Sequence, residues 1–182
     1  VKDLTADQIG AIYRGDITNW KEVGGKDMPI TLYGRQNSSG TFVYFRDNVL
    51  EEDYSTSMNR MNGNAQIVEA IKADNSAIGY VGIGYVVKDG KVIDGLNVLN
   101  VAKDADSEPA TPLKPENVKT GDYPLARPLY QYTNGKPEGQ ILDFIKYELS
   151  DDGQDLAVEE GFYPVSPNYV NQNEKNLGQA EN

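Results

Sequence analysis

Cysteine and histidine are both missing from the 182 residues, and the double absence removes several chemistries together. Zinc sites built on thiolate or imidazole cannot form. Ser-His-Asp and Cys-His catalysis are excluded. No disulfide staples the fold, and the redox compartment cannot be read from cysteine usage. Long apolar runs are absent as well, none approaching the ~18 consecutive residues of a membrane helix. Basic residues are scarce, 17 against 28 acidic ones, for a formal net charge of −11. A nucleic-acid partner needs a basic face, so that class is set aside. A small anion is not excluded, because a buried ion responds to local donors and dipoles more than to distant screened charge. The acidic residues are expected on a solvated exterior. No signal peptide opens the chain: Val1-Lys2-Asp3 leads straight into a helical pattern, as in a mature, trimmed or fragmentary chain.

What is present fits a globular protein of one domain or two small lobes: 38% apolar and 25% charged residues. Thr5 and Gln8 have capping-box spacing ahead of Ile9, Ile12 and Tyr13, and Gly15 marks the end of that first helix. Ile17-Thr18-Asn19-Trp20 is a turn, its Trp20 expected to serve packing. Residues 29–33 read as a strand, and the spacing of Phe42, Phe45 and Val49 predicts a helix from about Gly40 to Leu50. Residues 51–63 carry no assignable pattern. A helix follows over 64–74, then extended segments at 77–81 and 83–87, a hairpin turn at Asp89-Gly90 and a strand at 96–101. Pro109, Pro112 and Pro115 mark 103–123 as loop. Beyond it come a strand over Arg127–Tyr132, a turn at Asn134-Gly135, an amphipathic helix bearing Ile141, Leu142, Ile145 and Leu149, and a short helix over 153–160. The tail from about Gln172 is expected to fray. Tyr80, Tyr85, Tyr130 and Tyr132 are expected in a core or on a sheet face. Strands alternating with helices indicate an α/β fold.

The chemistry concentrates in Gly34-Arg35-Gln36-Asn37-Ser38-Ser39-Gly40-Thr41. The first turn of a helix leaves backbone N–H groups unpaired at the positive end of its dipole. Ser38, Ser39 and Thr41 add hydroxyl donors, and Arg35 adds a planar fork suited to two oxygens of a tetrahedral oxyanion. That makes a donor-rich site at a helix start. Ordinary helix capping by the same residues is the competing reading, and Asn37-Ser38-Ser39 also forms a glycosylation sequon. A nucleotide P-loop fits less well, since the glycine spacing is one residue long and no lysine precedes Thr41. Paired acids such as Glu51-Glu52, Asp151-Asp152 and Glu159-Glu160 are expected to be solvated. Asp104 and Asp106 lack the oxygen-ligand pattern of a calcium loop. No metal, no cofactor and no enzymatic arrangement is read here.

In its ordered set of motifs the chain resembles the periplasmic phosphate-binding proteins of phosphate ABC transporters. The resemblance runs through Leu4-Thr5 to Trp20, Gly34-Arg35 to Thr41 with Phe45, Ala77 to Gly82, Tyr123 to Tyr130, and Gly161-Phe162-Tyr163-Pro164. It implies a periplasmic-binding-protein-like lobe, a mixed sheet flanked by helices, plus part of a first lobe. Residues 1–122 would form the second, phosphate-loop lobe. Residues 123–170 would hold a crossover strand and helices returning to the first lobe, and 171–182 a polar tail. The first-lobe segment that opens family members is expected to be absent.

Carried over position by position, the phosphate ligands fall on Arg35, Ser39, Gly40 and Thr41, with Ser38 and Asn37 beside them. Some members carry an Asp where Asn37 stands; Asn37 could hydrogen-bond Arg35 but would not hold it by charge. The resemblance further implies delivery of inorganic phosphate to a membrane permease, an extracytoplasmic location (periplasmic or cell-surface anchored), and no catalysis. Sulfate, molybdate or tungstate as ligand stays open, as does a sensor or adhesion module with a vestigial loop. Unpaired strand edges beyond about residue 125 predict either a strand-exchanged oligomer or docking of the tail onto its own second lobe.

Overall fold

A computed structural model describes residues 1–88 and 90–178. It divides into two compact units, Val1–Ala126 and Arg127–Asn182. In the first unit, strand β1 (Asp3–Thr5) runs straight into helix α1 (Ala6–Arg14). The predicted capping box is present: the Gln8 N–H donates to Thr5 Oγ1 at 3.1 Å, and the Thr5 N–H donates to Gln8 Oε1 at 2.9 Å. Gly15 closes the helix at φ 91°, a left-handed conformation that suits glycine. Ile9, Ile12 and Tyr13 are buried, as their spacing requires. A short 3₁₀ turn at Trp20–Val23 buries Trp20, whose Nε1 donates to the Ser76 carbonyl at 2.8 Å.

Strand β2 (Thr31–Arg35) begins two residues later than predicted and includes Gly34 and Arg35. Helix α2 (Gly40–Phe45) continues as a π-helical turn over Arg46–Leu50, which ends at Glu51 with φ 56°. Strand β3 (Asn59–Met61) lies in the stretch that had no assignable pattern. Helix α3 (Asn64–Ala73) and strand β4 (Ala77–Gly79) complete a three-stranded parallel sheet of order β3-β2-β4, with Gly34 opposite Arg60 and Leu32 opposite Ile78. Residues Ile83–Tyr85, expected to be extended, form a 3₁₀ turn, and Tyr85 is exposed. Strands β5 (Val87–Lys88) and β6 (Lys91–Val92) pair antiparallel around the expected turn. Gly90 there has φ 72°; Asp89 lies outside the described residues. Strand β7 (Asn100–Ala102) pairs parallel with β1. The stretch read as loop contains helix α4 (Pro115–Thr120), with proline at the first helical position where its missing N–H costs nothing.

The core of this unit gathers Leu4, Ile12, Tyr13, Leu32, Phe42, Phe45, Leu50, Tyr54, Met58, Ile78 and Val101. Helices α1 and α2 thus sit on the strand pairs, and the β2–α2 connection is held from beneath by aromatic rings.

The second unit contains helices α5 (Gly139–Glu148), α6 (Asp151–Glu159) and α7 (Pro167–Asn176). Gln154 ties α6 to its flanks: its Nε2 donates to the Glu148 carbonyl and its Oε1 accepts from the Val165 N–H, both at 2.7 Å. The tail expected to fray from Gln172 is helical to Asn176, and 179–182 lie outside the described residues. The strand predicted at Arg127–Tyr132 does not form, because an extended segment needs a ladder partner and none is present among the described residues. Tyr130 and Tyr132 are accordingly exposed rather than on a sheet face. Leu129, Ile141, Phe144 and Tyr147 are exposed too, and α5 buries no residue.

Candidate functional site

The sequence of the β2–α2 connection dictates its shape. Gln36 donates its N–H to the Met61 carbonyl at 3.1 Å, which extends the β2–β3 pairing one step past Arg35. The Ser39 N–H then returns to the Gln36 carbonyl at 3.0 Å, leaving Asn37 and Ser38 exposed at the tip of a turn. Ser39 is the N-cap of α2. Its Oγ accepts from the Thr41 N–H at 3.2 Å, and it is 8% exposed, the one buried polar residue among the described ones. Gly40 and Thr41 open the helix, Gly40 exposed and Thr41 half-buried. The capping reading and the anion-site reading therefore describe the same atoms. Ser39 satisfies one first-turn donor, while its own hydroxyl proton is donated to no described group.

Arg35 occupies the last position of β2, half-buried. Its backbone N–H donates to Tyr80 Oη at 3.1 Å, and its Nη1 donates to Asn64 Oδ1 at 2.9 Å. Its Nε is fully enclosed and has no hydrogen-bond partner among the described residues. Leaving a buried donor unsatisfied costs about 1–3 kcal/mol, and more when the group is charged. Asn37 is not the residue that orients the guanidinium. It sits out at the exposed turn, while Asn64, in the first turn of α3, is brought alongside by the parallel β2–β3–α3 connection. The Arg35 side chain is therefore steered by a neutral amide, and its full charge is retained.

Beneath the connection lies an aromatic bed. Phe42 stacks on Tyr54 and Phe45 on Tyr80, each at 4.4 Å between ring centroids, and Tyr13 meets Phe45 and Tyr80 edge-on. Burial pushes the Tyr13, Tyr54 and Tyr80 phenols upward, so all three stay protonated near neutrality. Gly34 is required by this packing. A Cβ there would stand 2.6 Å from Met58 Sδ and 3.0 Å from Tyr80 Oη. Arg60, opposite Gly34 on β3, places its guanidinium 5.4 Å from the centre of the Phe42 ring and pairs with no carboxylate among the described residues.

Thus Arg35, Ser39, Gly40 and Thr41 lie on one strand–turn–helix unit, with Asn37 and Ser38 at its outer edge. Asn64, Tyr54 and Arg60 were not legible as site residues, and for Tyr80 a place lining the cleft was the minor alternative. Asn64 gave only the weak signal of an amide at a helix start, and Tyr80 read as a sheet residue. No group of three or more acidic side chains that could hold a metal occurs among the described residues. Asp104 instead accepts hydrogen bonds from the Asp106 N–H and the Ser107 hydroxyl.

A family model for the PBP superfamily domain matches residues 1–152. The phosphate-binding protein PstS of Pseudomonas aeruginosa is 30% identical over 98% of this chain and 58% of its own length. That of Bacillus subtilis is 33% identical over 91% of this chain and 52% of its own length. The chain thus spans little more than half the length of these curated relatives. Among solved structures, a Clostridium perfringens protein with bound phosphate superposes with a TM-score of 0.74 at 32% identity, covering 91% of this chain and 64% of that one. An ABC-type phosphate transport receptor from Vibrio cholerae gives a TM-score of 0.71 at 26% identity, covering 91% and 65%.

Proposed function

The chain belongs to the PBP superfamily, and from that premise we propose that it carries one wall of a phosphate site, in a receptor that hands inorganic phosphate to the membrane permease of an ABC transporter. The observation that carries the reading is the donor set at the β2–α2 connection. Arg35 presents a guanidinium whose Nη1 is fixed by Asn64 and whose Nε lacks an acceptor. It stands at the strand end leading into the Ser39-Gly40-Thr41 helix start. The Arg35 fork, the Ser39 and Thr41 hydroxyls and the first-turn N–H of Gly40 would serve one tetrahedral oxyanion, joined by the Thr41 N–H where the ion replaces its bond to Ser39 Oγ. Asn37 and Ser38 contribute at the rim. The role is capture, not catalysis: neither histidine nor cysteine is available, and no nucleophile–base arrangement surrounds the loop.

The names of the relatives support phosphate over sulfate, molybdate or tungstate; the extracytoplasmic place of action belongs to the proposed receptor role. No helix among the described residues is long and apolar enough to cross a membrane. Calorimetry with inorganic phosphate tests the reading on this chain and on a version extended to the relatives' length. Weak binding to the chain alone, tighter binding to the extended form and loss of both on Arg35→Ala are expected. Sulfate competing as well as phosphate would move the assignment to another oxyanion, and no response to any oxyanion would sink it. The exposed Leu129, Tyr130, Tyr132, Ile141 and Phe144 support self-association of the isolated chain by strand exchange. Light scattering that shows a strict monomer at high concentration would contradict that.

A further inference from the structure

Three hydrogen bonds beneath the loop share two phenols. The Arg35 N–H reaches Tyr80 Oη at 3.1 Å, Tyr80 Oη lies 2.9 Å from Tyr54 Oη, and Tyr54 Oη lies 3.1 Å from the Phe42 carbonyl. The proton order follows from what each group can do. A carbonyl only accepts, so the single Tyr54 proton goes to Phe42. Tyr54 must then accept from Tyr80, and Tyr80 accepts from the Arg35 N–H, which only donates. Each phenol donates once and accepts once, with one direction throughout. The Phe42 carbonyl also accepts from the Arg46 N–H where α2 gives way to the π turn, which fills its two lone pairs.

The two ends of this relay are the two ends of the anion loop. Arg35 closes β2, and Phe42 lies in the first turn of α2. We propose that Tyr54 and Tyr80 are positioning residues, their hydroxyls forming one directed relay that fixes the strand end bearing Arg35 against the helix start bearing Ser39, Gly40 and Thr41. This rests on reading the loop as the anion site. Ring stacking alone would hold Tyr54 on Phe42 and Tyr80 on Phe45, but stacked rings slide, whereas the hydroxyl relay sets a distance. Neither phenol is among the proposed ligand groups: Tyr80 acts through the backbone of Arg35, and Tyr54 through that of Phe42, the residue after Thr41. Because the bonds are in series, removing either hydroxyl opens the whole span.

The test uses Tyr54→Phe, Tyr80→Phe and the double variant, which keep both rings. Amide exchange and chemical shifts are followed by NMR, without ligand and in a titration with inorganic phosphate. In the ligand-free protein the Arg35 amide is expected to exchange about five- to ten-fold faster in each variant, the scale of one lost hydrogen bond. Tyr54→Phe is the telling case, since Tyr54 does not touch Arg35. Phosphate affinity should fall about five-fold in each single variant, and the double variant should lose no more than either. An Arg35 amide unmoved by Tyr54→Phe, or losses that multiply in the double variant, would overturn the relay and leave two independent packing residues. Should Tyr54→Phe fail to fold, Tyr80→Phe decides beside the exposed α4 variant Lys119→Ala as control: the Arg46 amide, which shares the Phe42 carbonyl at the far end, should shift, and an unmoved Arg46 amide is the negative result. A wild-type protein that ignores phosphate while its Arg35 amide responds to Tyr54→Phe would remove the phosphate reading and keep the relay.

Discussion

Replacing Asn64 with aspartate puts a carboxylate where an amide oxygen now accepts from Arg35 Nη1 at 2.9 Å. Shape and hydrogen bond are retained, and only charge changes. Two effects of opposite sign follow. Both side chains are half-buried, and the new ion pair strengthens the contact, so the folded chain should gain a few tenths of a kcal/mol up to about 1 kcal/mol after screening. An oxyanion on the far side of the guanidinium would sit roughly 8 Å from the new carboxylate, a repulsion of about 2 kcal/mol at an effective dielectric of ~20. Screening over a Debye length of about 8 Å reduces this to about 1 kcal/mol, or roughly a four- to five-fold loss of affinity. The assay is a phosphate titration at two salt concentrations beside a thermal melt. Asn64→Asp should melt at or above the wild-type temperature, bind phosphate more weakly, and differ less from wild type at high salt. Equal or tighter binding would refute the reasoning, because the Arg35 charge would not then be what the anion meets.

Gly34→Ala pushes a methyl group to 2.6 Å from Met58 Sδ and 3.0 Å from Tyr80 Oη, and should cost about 1–3 kcal/mol in urea unfolding with a shifted Tyr80; wild-type stability would show that the site is roomier than described. Thr5→Ala removes one half of the α1 capping box and should cost about 1 kcal/mol by the same measurement, with Thr5→Ser restoring most of it. The Ser76 hydroxyl first, and the Ser76 backbone N–H second, hold the Asp74 carboxyl below its ordinary value. Its stabilising effect is complete above the unfolded carboxylate value of about 3.9 and is lost as pH falls through the lower folded value. The gap in urea midpoint between wild type and Asp74→Asn should therefore narrow on acidification from pH about 5 to about 3, and a constant gap would contradict this.

Local signals carried well where the structure is local. The Thr5–Gln8 capping box, the Gly15 stop, the packing role of Trp20 and the helix at Gly40 are properties of a few neighbouring residues, and each appears as read. What escaped was set by partners far along the chain. β3 is three residues long and exists because Arg60 falls opposite Gly34, a pairing no pattern at 51–63 announces. Arg127–Tyr132 had strand-like residues, yet a strand is a relation between segments, and no partner among the described residues supplies the other half. The prolines of 103–123 marked irregular chain correctly except at Pro115, where fixed φ starts a helix. The site divides along the same line. Arg35 to Thr41 form a contiguous motif and could be read, whereas Asn64 and the tyrosine pair meet the loop only through the parallel connections. Asn37 was the amide near Arg35 in sequence, and Asn64 is the one that accepts from its guanidinium in space.

The buried phenols and the missing histidine have one more consequence together. From Arg35 to Thr41 no residue changes protonation near neutrality, and the three tyrosines beneath are held in their neutral form. The wall proposed to meet phosphate is thus blind to pH across the range in which phosphate itself passes from singly to doubly charged. On the proposed reading, any pH dependence of phosphate capture at this wall would come from the ion's own change of charge.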